Sequence, residues 1–257
     1  MSTTLRKSLR ILEVLATSET PRGISELSRE IKMNKSAVQR IFQTLAEEGY
    51  IEKAPGTSRY KSTLRLWELG ASVIAQNETR RLIRPILRYA AKVSSLTCYF
   101  AWADFPDIIY LDKVEGEKGR PNSSDPGQRS PMYAAASGRA ILAFLGDDKI
   151  AQILKLIEAR PEIRDSGDYT NLDVEFALIR ERHYATSERG SSSRISSVAA
   201  PVWGSGALPV GSIVLTSDAA TLPRADFDRV GSVAVSIAEQ ASRVLGGGFP
   251  ASASEAP

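Results

Sequence analysis

The sequence predicts an α+β protein of two domains. A small winged helix-turn-helix head is followed by a larger body in which strands and helices alternate. Three observations carry this expectation. The stretch GISELSREIKMNKSAVQRIFQTLAEEG (residues 23–49) reads as two short helices joined by a tight polar turn, with a hairpin after it. Charge is uneven: up to Thr63 there are eleven Lys and Arg against seven Glu, a net +4 in a chain whose total is +3. Beyond Thr97, β-rich runs alternate with helical patterns.

Leu5 to Ala16 reads as the first helix, with Ile11, Leu12 and Leu15 repeating at helical spacing. The stretch Thr17 to Arg22, which holds Pro21, ends this helix. Ser25 is the expected N-cap of the second helix, with Leu27 and Ile31 facing in. Asn34 is the expected N-cap of the third, which runs to about Glu48, and Gly49 fits the position just past a helix end. Val38, Ile41, Phe42 and Leu45 form its buried stripe. Tyr50 to Lys53 and Arg59 to Ser62 are short strands around the turn Ala54-Pro55-Gly56-Thr57. A helix from Leu64 to about Asn77, with Leu66, Leu69, Val73 and Ile74 on one side, serves as a linker or dimerising element.

Arg80 to Ser95 opens the body as a helix, with Pro85 expected near its first turn. Strands are expected over Thr97 to Ala103 and Ile108 to Val114, then a long loop over Glu115 to Ser130. Helices are expected over Ala134 to Leu145, Lys149 to Ala159 and Leu172 to Arg182. A short strand near Tyr184 to Ser187, two apolar strands (Ser196 to Trp203 and Val210 to Ser217) and a helix over Arg224 to Leu245 complete it. The expected domains are 1–63 for the head, 64–78 for the linker helix, 79–247 for the body and 248–257 for a small, polar, disordered tail.

The third helix carries the clearest chemistry. Ser36, Gln39, Arg40 and Gln43 lie opposite its buried stripe, and Lys35 stands at its N-terminal end. A rod in the major groove needs such groups: Arg40 suits a guanine held by two hydrogen bonds, and Gln39 or Gln43 an adenine. The helix start at Asn34 and Lys35 favours a phosphate. Lys53, Arg59 and Lys61 on the wing suit the sugar-phosphate backbone. Double-stranded operator DNA is therefore the expected partner.

Other classes find little support. Cys98 and His183 are each the only residue of their kind, so neither a disulfide framework nor a zinc site of the usual ligands is expected. Cys98 reads as a small buried hydrophobe. No G-x-S-x-G elbow, no phosphate-binding G-x-x-x-x-G-K-[ST] and no G-x-G-x-x-G opening a helix is present, so neither catalysis nor a cofactor is expected. No apolar run is long enough to span a bilayer, and Glu13 interrupts the one stretch with the look of a signal peptide. These points favour a cytoplasmic protein with no membrane partner.

The order of segments resembles the IclR family of bacterial transcription regulators. In the head the resemblance rests on LRKSLRILEVLA, ISELSREIKMNKSAVQRIFQTLAEEGYIEK and RYKSTLRLWELG. In the body it rests on IIYLDKVEG, SPMYAAASGRAILAFL and SSVAAPVWGSGALPVGSIVLT. It implies a GAF/profilin-like α/β effector-binding domain behind the winged head, and a homodimer or homotetramer. Carried over segment by segment, it places Ala136 and Ser137 at the pocket wall, and Ser197, Thr216 and Ser217 at strand positions often held by small polar residues. Ser187 falls where the family often has a pocket carboxylate, and His183-Tyr184 stands where it usually has Gly-Tyr. The resemblance thus implies a less acidic pocket than usual. Tyr99, Trp102 and Tyr133 are aromatic candidates for its wall, although strand aromatics are more often core. Arg194 is a candidate for a nearby positive charge, against a plain surface role.

The expected function is ligand-responsive control of transcription, of a catabolic operon, by a small organic or aromatic acid. The rival readings are an architectural DNA binder without ligand control and, more remotely, a hydrolase. The large near-neutral body argues against the first, and the missing nucleophile motif against the second.

Overall fold

The computed structural model describes residues 3–119, 124–160, 171–189 and 195–249. The chain folds as two compact units, Met1–Asn77 and Glu78–Pro257.

The first unit holds α1 (Thr3–Ala16), β1 (Arg22–Gly23), α2 (Ile24–Glu30), α3 (Lys35–Glu47), β2 (Ile51–Lys53), β3 (Arg59–Ser62) and α4 (Arg65–Ala75). Ile11, Leu15, Leu27, Val38, Phe42 and Ile51 make its core, and the Phe42 and Tyr60 rings meet edge to face at 4.9 Å. Gly49 adopts φ +77°, the left-handed residue that ends α3. The wing has a third strand: β1 pairs with β3 through Arg22↔Tyr60 and Gly23↔Arg59. The start of α2 also differs from expectation. Gly23, not Ser25, is the N-cap, and its backbone N–H donates to Glu26 Oε2 at 3.3 Å. Leu64, just before α4, and Trp67 and Val73 on it face solvent within this chain, at 75%, 70% and 67% exposed.

The second unit begins with α5 (Glu78–Ser94), followed by β4 (Thr97–Asp104), β5 (Asp107–Val114) and β6 (Arg129–Pro131). Then come α6 (Ala136–Leu142), α7 (Asp147–Glu158), α8 (Leu172–Arg182), β7 (Ala185–Arg189), β8 (Ile195–Trp203), β9 (Pro209–Asp218) and α9 (Phe227–Val244). The six strands form one antiparallel sheet in the order β6-β5-β4-β9-β8-β7. Strand side chains alternate between two apolar layers, as the period of two requires. Cys98, Phe100, Ile213 and Leu215 pack with α5 and α9, while Tyr99, Ala101 and Val214 pack with α6, α7 and α8.

Several expectations need correction. Pro85 sits in the interior of α5, not its first turn. The missing N–H deprives the Arg81 carbonyl of its helical partner, but both residues lie on the exposed face, where that carbonyl is open to solvent. The helix expected over Ala134 to Leu145 is broken: Met132–Ala134 form a 3-10 turn, and Ala135 is extended at φ −124°, ψ 149°. With the chain turned this way, the Met132 backbone packs so close to Gly138 that a Cβ there would stand 2.1 Å from the Met132 carbonyl oxygen. At the start of the expected tail, Phe249 packs edge to face on Trp203 at 4.7 Å. Residues 250–257 lie outside the described residues, as do Ser191 to Arg194.

One ion cluster ties α5 to the sheet. Asp112 on β5 is 2% exposed, and its Oδ1 accepts from Arg84 at 2.5 Å and from Arg80 at 3.4 Å. A bulge at Phe100/Ala101 shifts the β4–β5 register between Asp112 and Tyr110.

Candidate functional site

Two sites stand out, one in each unit. In the first, Ser36, Gln39, Arg40 and Gln43 are exposed along one side of α3, opposite the buried Val38, Ile41 and Phe42, and Lys35 is exposed at its N-terminal end. The Gln43 amide donates to Glu47 Oε1 at 3.0 Å, so one of its hydrogen-bonding groups is already engaged. Lys53 is exposed on the wing, and Lys61 pairs with Glu52 at 3.0 Å.

Arg59, expected at the sugar-phosphate backbone, has partners within this unit. Its guanidinium donates to Glu26 Oε2 and to the Pro21 carbonyl, each at 2.6 Å. Glu26 and Glu30 also pair with Arg22. Glu26 is held below the usual carboxylate range, first by the Gly23 backbone N–H and then by Arg22 and Arg59. Arg59 therefore fastens the wing to α2. Ser25, Arg29, Lys35 and Arg59 line one surface cleft with Glu26, so a basic edge continues from α3 to the wing. Arg29 and Ser25 were not expected there, because a helix pattern alone does not say which end of α2 meets the wing.

In the second unit a cavity of about 250 Å³ lies between the sheet and the residues leading into α6. Ala136, Ser137, Ser187, Ser197 and Thr216 all line it. Ser217 does not: neighbouring strand residues face opposite ways, and its hydroxyl donates to the Lys118 carbonyl at 2.8 Å. Of the three aromatic candidates, Tyr99 lines the cavity and lies 5.1 Å from the Tyr110 ring, which also lines it. Trp102 points to the other layer beside Phe100, and Tyr133 is buried core. The sequence reading missed Tyr110, Arg129, Ser130, Ile195 and Val214. The alternation of β5 and β9 identifies Tyr110 and Val214 once the sheet order is known.

Register explains the hydroxyls on the floor. Ser187 pairs with Ser197, Ser197 with Thr216, and Thr216 with Thr97, so four hydroxyl residues form a row across β7, β8, β9 and β4. Thr216 Oγ1 donates to the Ser196 carbonyl at 2.8 Å and lies 2.9 Å from Ser197 Oγ. Ser137 is 1% exposed, and its Oγ has no partner among the described residues. Beneath α6, Arg139 bonds Glu175, the Tyr133 carbonyl and the Thr186 carbonyl at 2.7, 2.9 and 2.9 Å, holding this wall to β7. At the rim Arg129 pairs with Asp104, and with Asp107 at 3.6 Å. Among the described residues no carboxylate lines the cavity.

His183 and Cys98 are separate from both sites. Burial pushes the Cys98 thiol up to about 12, against a weaker opposing hydrogen bond from Ser94, so it is inert at neutral pH. His183 ends α8 with φ +61°, a conformation suited to glycine, which gives a physical reason for the Gly-Tyr pair at this place in the resembling family. Its ring stacks on Phe144 at 5.7 Å and meets Phe249 at 5.4 Å, with Nε2 buried and unpartnered among the described residues. Burial lowers its pKa below the ordinary 6.5, with Glu239 opposing. The folded protein thus takes up this proton less readily than the unfolded chain. Stability is full above the ordinary value and declines as pH falls through the lowered one. His183→Asn, which tolerates the same backbone conformation, is expected to flatten urea-derived stability between about pH 7 and pH 5 relative to the parent.

Among the described residues no group of three or more His, Cys, Asp or Glu side chains is placed to hold a metal, and no helix is long and apolar enough to cross a membrane.

Comparisons with known proteins agree with this geometry. Residues 4–55 match the model of the IclR helix-turn-helix domain, and residues 71–244 match that of the bacterial transcriptional regulator IclR C-terminal domain. The chain is 27% identical to the HTH-type transcriptional regulator KdgR of Dickeya chrysanthemi, over 77% of this chain and 65% of that protein, just under two thirds of its length. The crystal structure of the Thermotoga maritima IclR protein superposes with a TM-score of 0.70 at 27% identity, covering 95% of this chain and 98% of that one. An IclR homologue from Microbacterium hydrocarbonoxydans, solved in complex with 4-hydroxybenzoate, has a TM-score of 0.73 at 17% identity, covering 95% and 99% of the two chains.

Proposed function

Since the chain belongs to the IclR family of bacterial transcription regulators, we propose that it controls a catabolic operon in response to a small organic or aromatic acid held in the body. The reading is carried by one observation: an exposed polar rod in one unit is joined to a walled cavity with hydroxyl groups in the other. Lys35, Ser36, Gln39, Arg40 and Gln43 read or flank bases. Lys53 and Lys61 hold phosphates, and Arg59 shapes the wing on which they sit. Ala136, Ser137, Ser187, Ser197 and Thr216 receive the effector, with Tyr99 and Tyr110 beside it. The size of the cavity favours a single ring or a short chain, since pockets for drug-sized ligands run from about 300 Å³ upward. The relative solved with 4-hydroxybenzoate supports an occupant of that scale. The exposed Leu64 before α4 and Trp67 and Val73 on it support assembly into a homodimer or homotetramer.

Arg40→Ala is expected to weaken operator binding by roughly 1–3 kcal/mol and relax preference at one base pair, leaving nonspecific binding nearly intact. Gel-shift titrations of operator variants measure this; equal affinity in parent and variant removes Arg40 from the reading face. The same assay with added acids tests control, because an architectural DNA binder keeps one affinity with all of them.

A further inference from the structure

Glu26 puts an acid on the surface that meets DNA, on the premise that α3 and the wing bind the duplex. It lines the cleft of the first unit together with Lys35 at the start of α3, Arg29 of α2, and Ser58 and Arg59 of the wing. Its side chain is partly exposed there. A carboxylate in that place repels phosphates, so by charge alone it weakens binding to every sequence.

Its bonds give it a different use. Oε2 accepts from the Gly23 N–H at 3.3 Å, at the corner where β1 turns into α2, and from Arg59 Nη2 of β3 at 2.6 Å. Gly23 and Arg59 stand opposite each other in the β1–β3 pairing. Oε1 accepts from Arg22 Nε at 2.5 Å. One carboxylate thus joins the corner, the helix and the wing. Arg22 has further holds on Glu30 and on the Ser18 hydroxyl at 3.0 Å. Among the described residues the Arg59 guanidinium has one other acceptor, the Pro21 carbonyl at 2.6 Å.

We infer that Glu26 is a positioning residue for sequence-selective DNA binding: by holding Arg59 it sets the wing against α2 and the start of α3, and it keeps that guanidinium away from phosphates. Reading bases requires α3 and the wing in one fixed relation, whereas phosphate attraction does not. An amide at position 26 has one oxygen in place of two, and its NH2 group opposes a guanidinium. It cannot accept from Arg22 and Arg59 as the carboxylate does. Arg59, with fewer other holds, is the group released, and a released guanidinium reaches the backbone of any duplex.

Fluorescence anisotropy of the full chain over a salt series tests this with two duplexes. One is selected by the parent protein from a random-sequence pool; the other is a shuffled duplex of the same composition. Glu26→Gln is expected to bind the selected duplex about fivefold or more weaker and the shuffled one about threefold or more tighter, with a salt slope steeper by about one. Arg59→Gln leaves the Gly23–Glu26–Arg22 contacts in place. It is expected to weaken the selected duplex by a similar factor and to change the shuffled one by less than about twofold, because in the parent Arg59 holds no phosphate. In the double variant the tighter grip on shuffled DNA is expected to vanish, since it needs a freed Arg59. A Glu26→Gln protein that melts like the parent and shifts both duplexes alike, or neither, overturns the inference. So does an Arg59→Gln protein that weakens both alike and flattens the slope by about one, the mark of a direct phosphate contact. If the Glu26 variant melts early, the Arg59 variant decides alone. If the parent enriches no sequence and binds no duplex, the DNA-binding reading itself has failed, and the inference fails with it.

Discussion

Phe42→Ala is expected to abolish operator binding while leaving acid binding by the body intact. The Phe42 side chain is 1% exposed and packs against Tyr60 with its ring edge to face. Truncating a buried phenylalanine costs about 3–5 kcal/mol, from lost transfer energy and the cavity left behind. The head core is small: eight buried residues among those described, including Ile11, Leu27, Val38 and Ile51. Units of this size have little stability to spare, so the loss is comparable with the whole. Calorimetry of the full chain is expected to show one early or missing transition, with the other unshifted. A variant that melts like the parent and still binds operator contradicts the placement of Phe42.

Gly138→Ala is expected to be the most damaging small change in the body. A Cβ at Gly138 stands 2.1 Å from the Met132 carbonyl oxygen and 2.4 Å from its Cα. Those atoms are backbone, so no rotamer change relieves the contact, and α6 must move. Overpacking of this kind costs about 1–3 kcal/mol and more when the obstacle is rigid. The displaced helix carries Ala136 and Ser137, two residues of the cavity wall. The expected result is a lower melting temperature of the body together with acid affinity reduced at least about tenfold. Gly146→Ala is the control, since nothing lies within 4 Å of a Cβ there. Parent-like ligand affinity in Gly138→Ala would show that α6 does not shape the site.

The head was legible because its signals are local. The stripe of Val38, Ile41 and Phe42 and the glycine after α3 depend on neighbours a few residues away. β1 was hidden because two residues, Arg22 and Gly23, carry no period to detect. The break at Ala135 was hidden for a different reason. Alanines favour a continuous helix, and the close packing of Gly138 on the Met132 backbone that accompanies the break leaves no periodic signal. Pro85 read as a first-turn residue, but an exposed face allows it deeper in α5. Among the cavity residues, Ser197 and Thr216 followed from segment resemblance, whereas Ser217 failed on strand parity. Tyr110 and Arg129 needed the sheet order, which no local pattern encodes. The same holds for Arg59, whose partners Glu26 and Pro21 lie far back in the chain.

The carboxylate of Asp112 grips α5 through Arg84 and Arg80, within two turns of Glu78, where the second unit begins. Any pull or twist arriving along the chain at that point is met by an ionic rivet to β5, rather than by a helix end that can fray. Two residues before the rivet, the same strand supplies Tyr110 to the cavity. The mechanical load path from the junction into the sheet therefore ends beside the cavity of the second unit, so whatever stiffens or loosens that strand also sets how firmly the second unit holds its first helix.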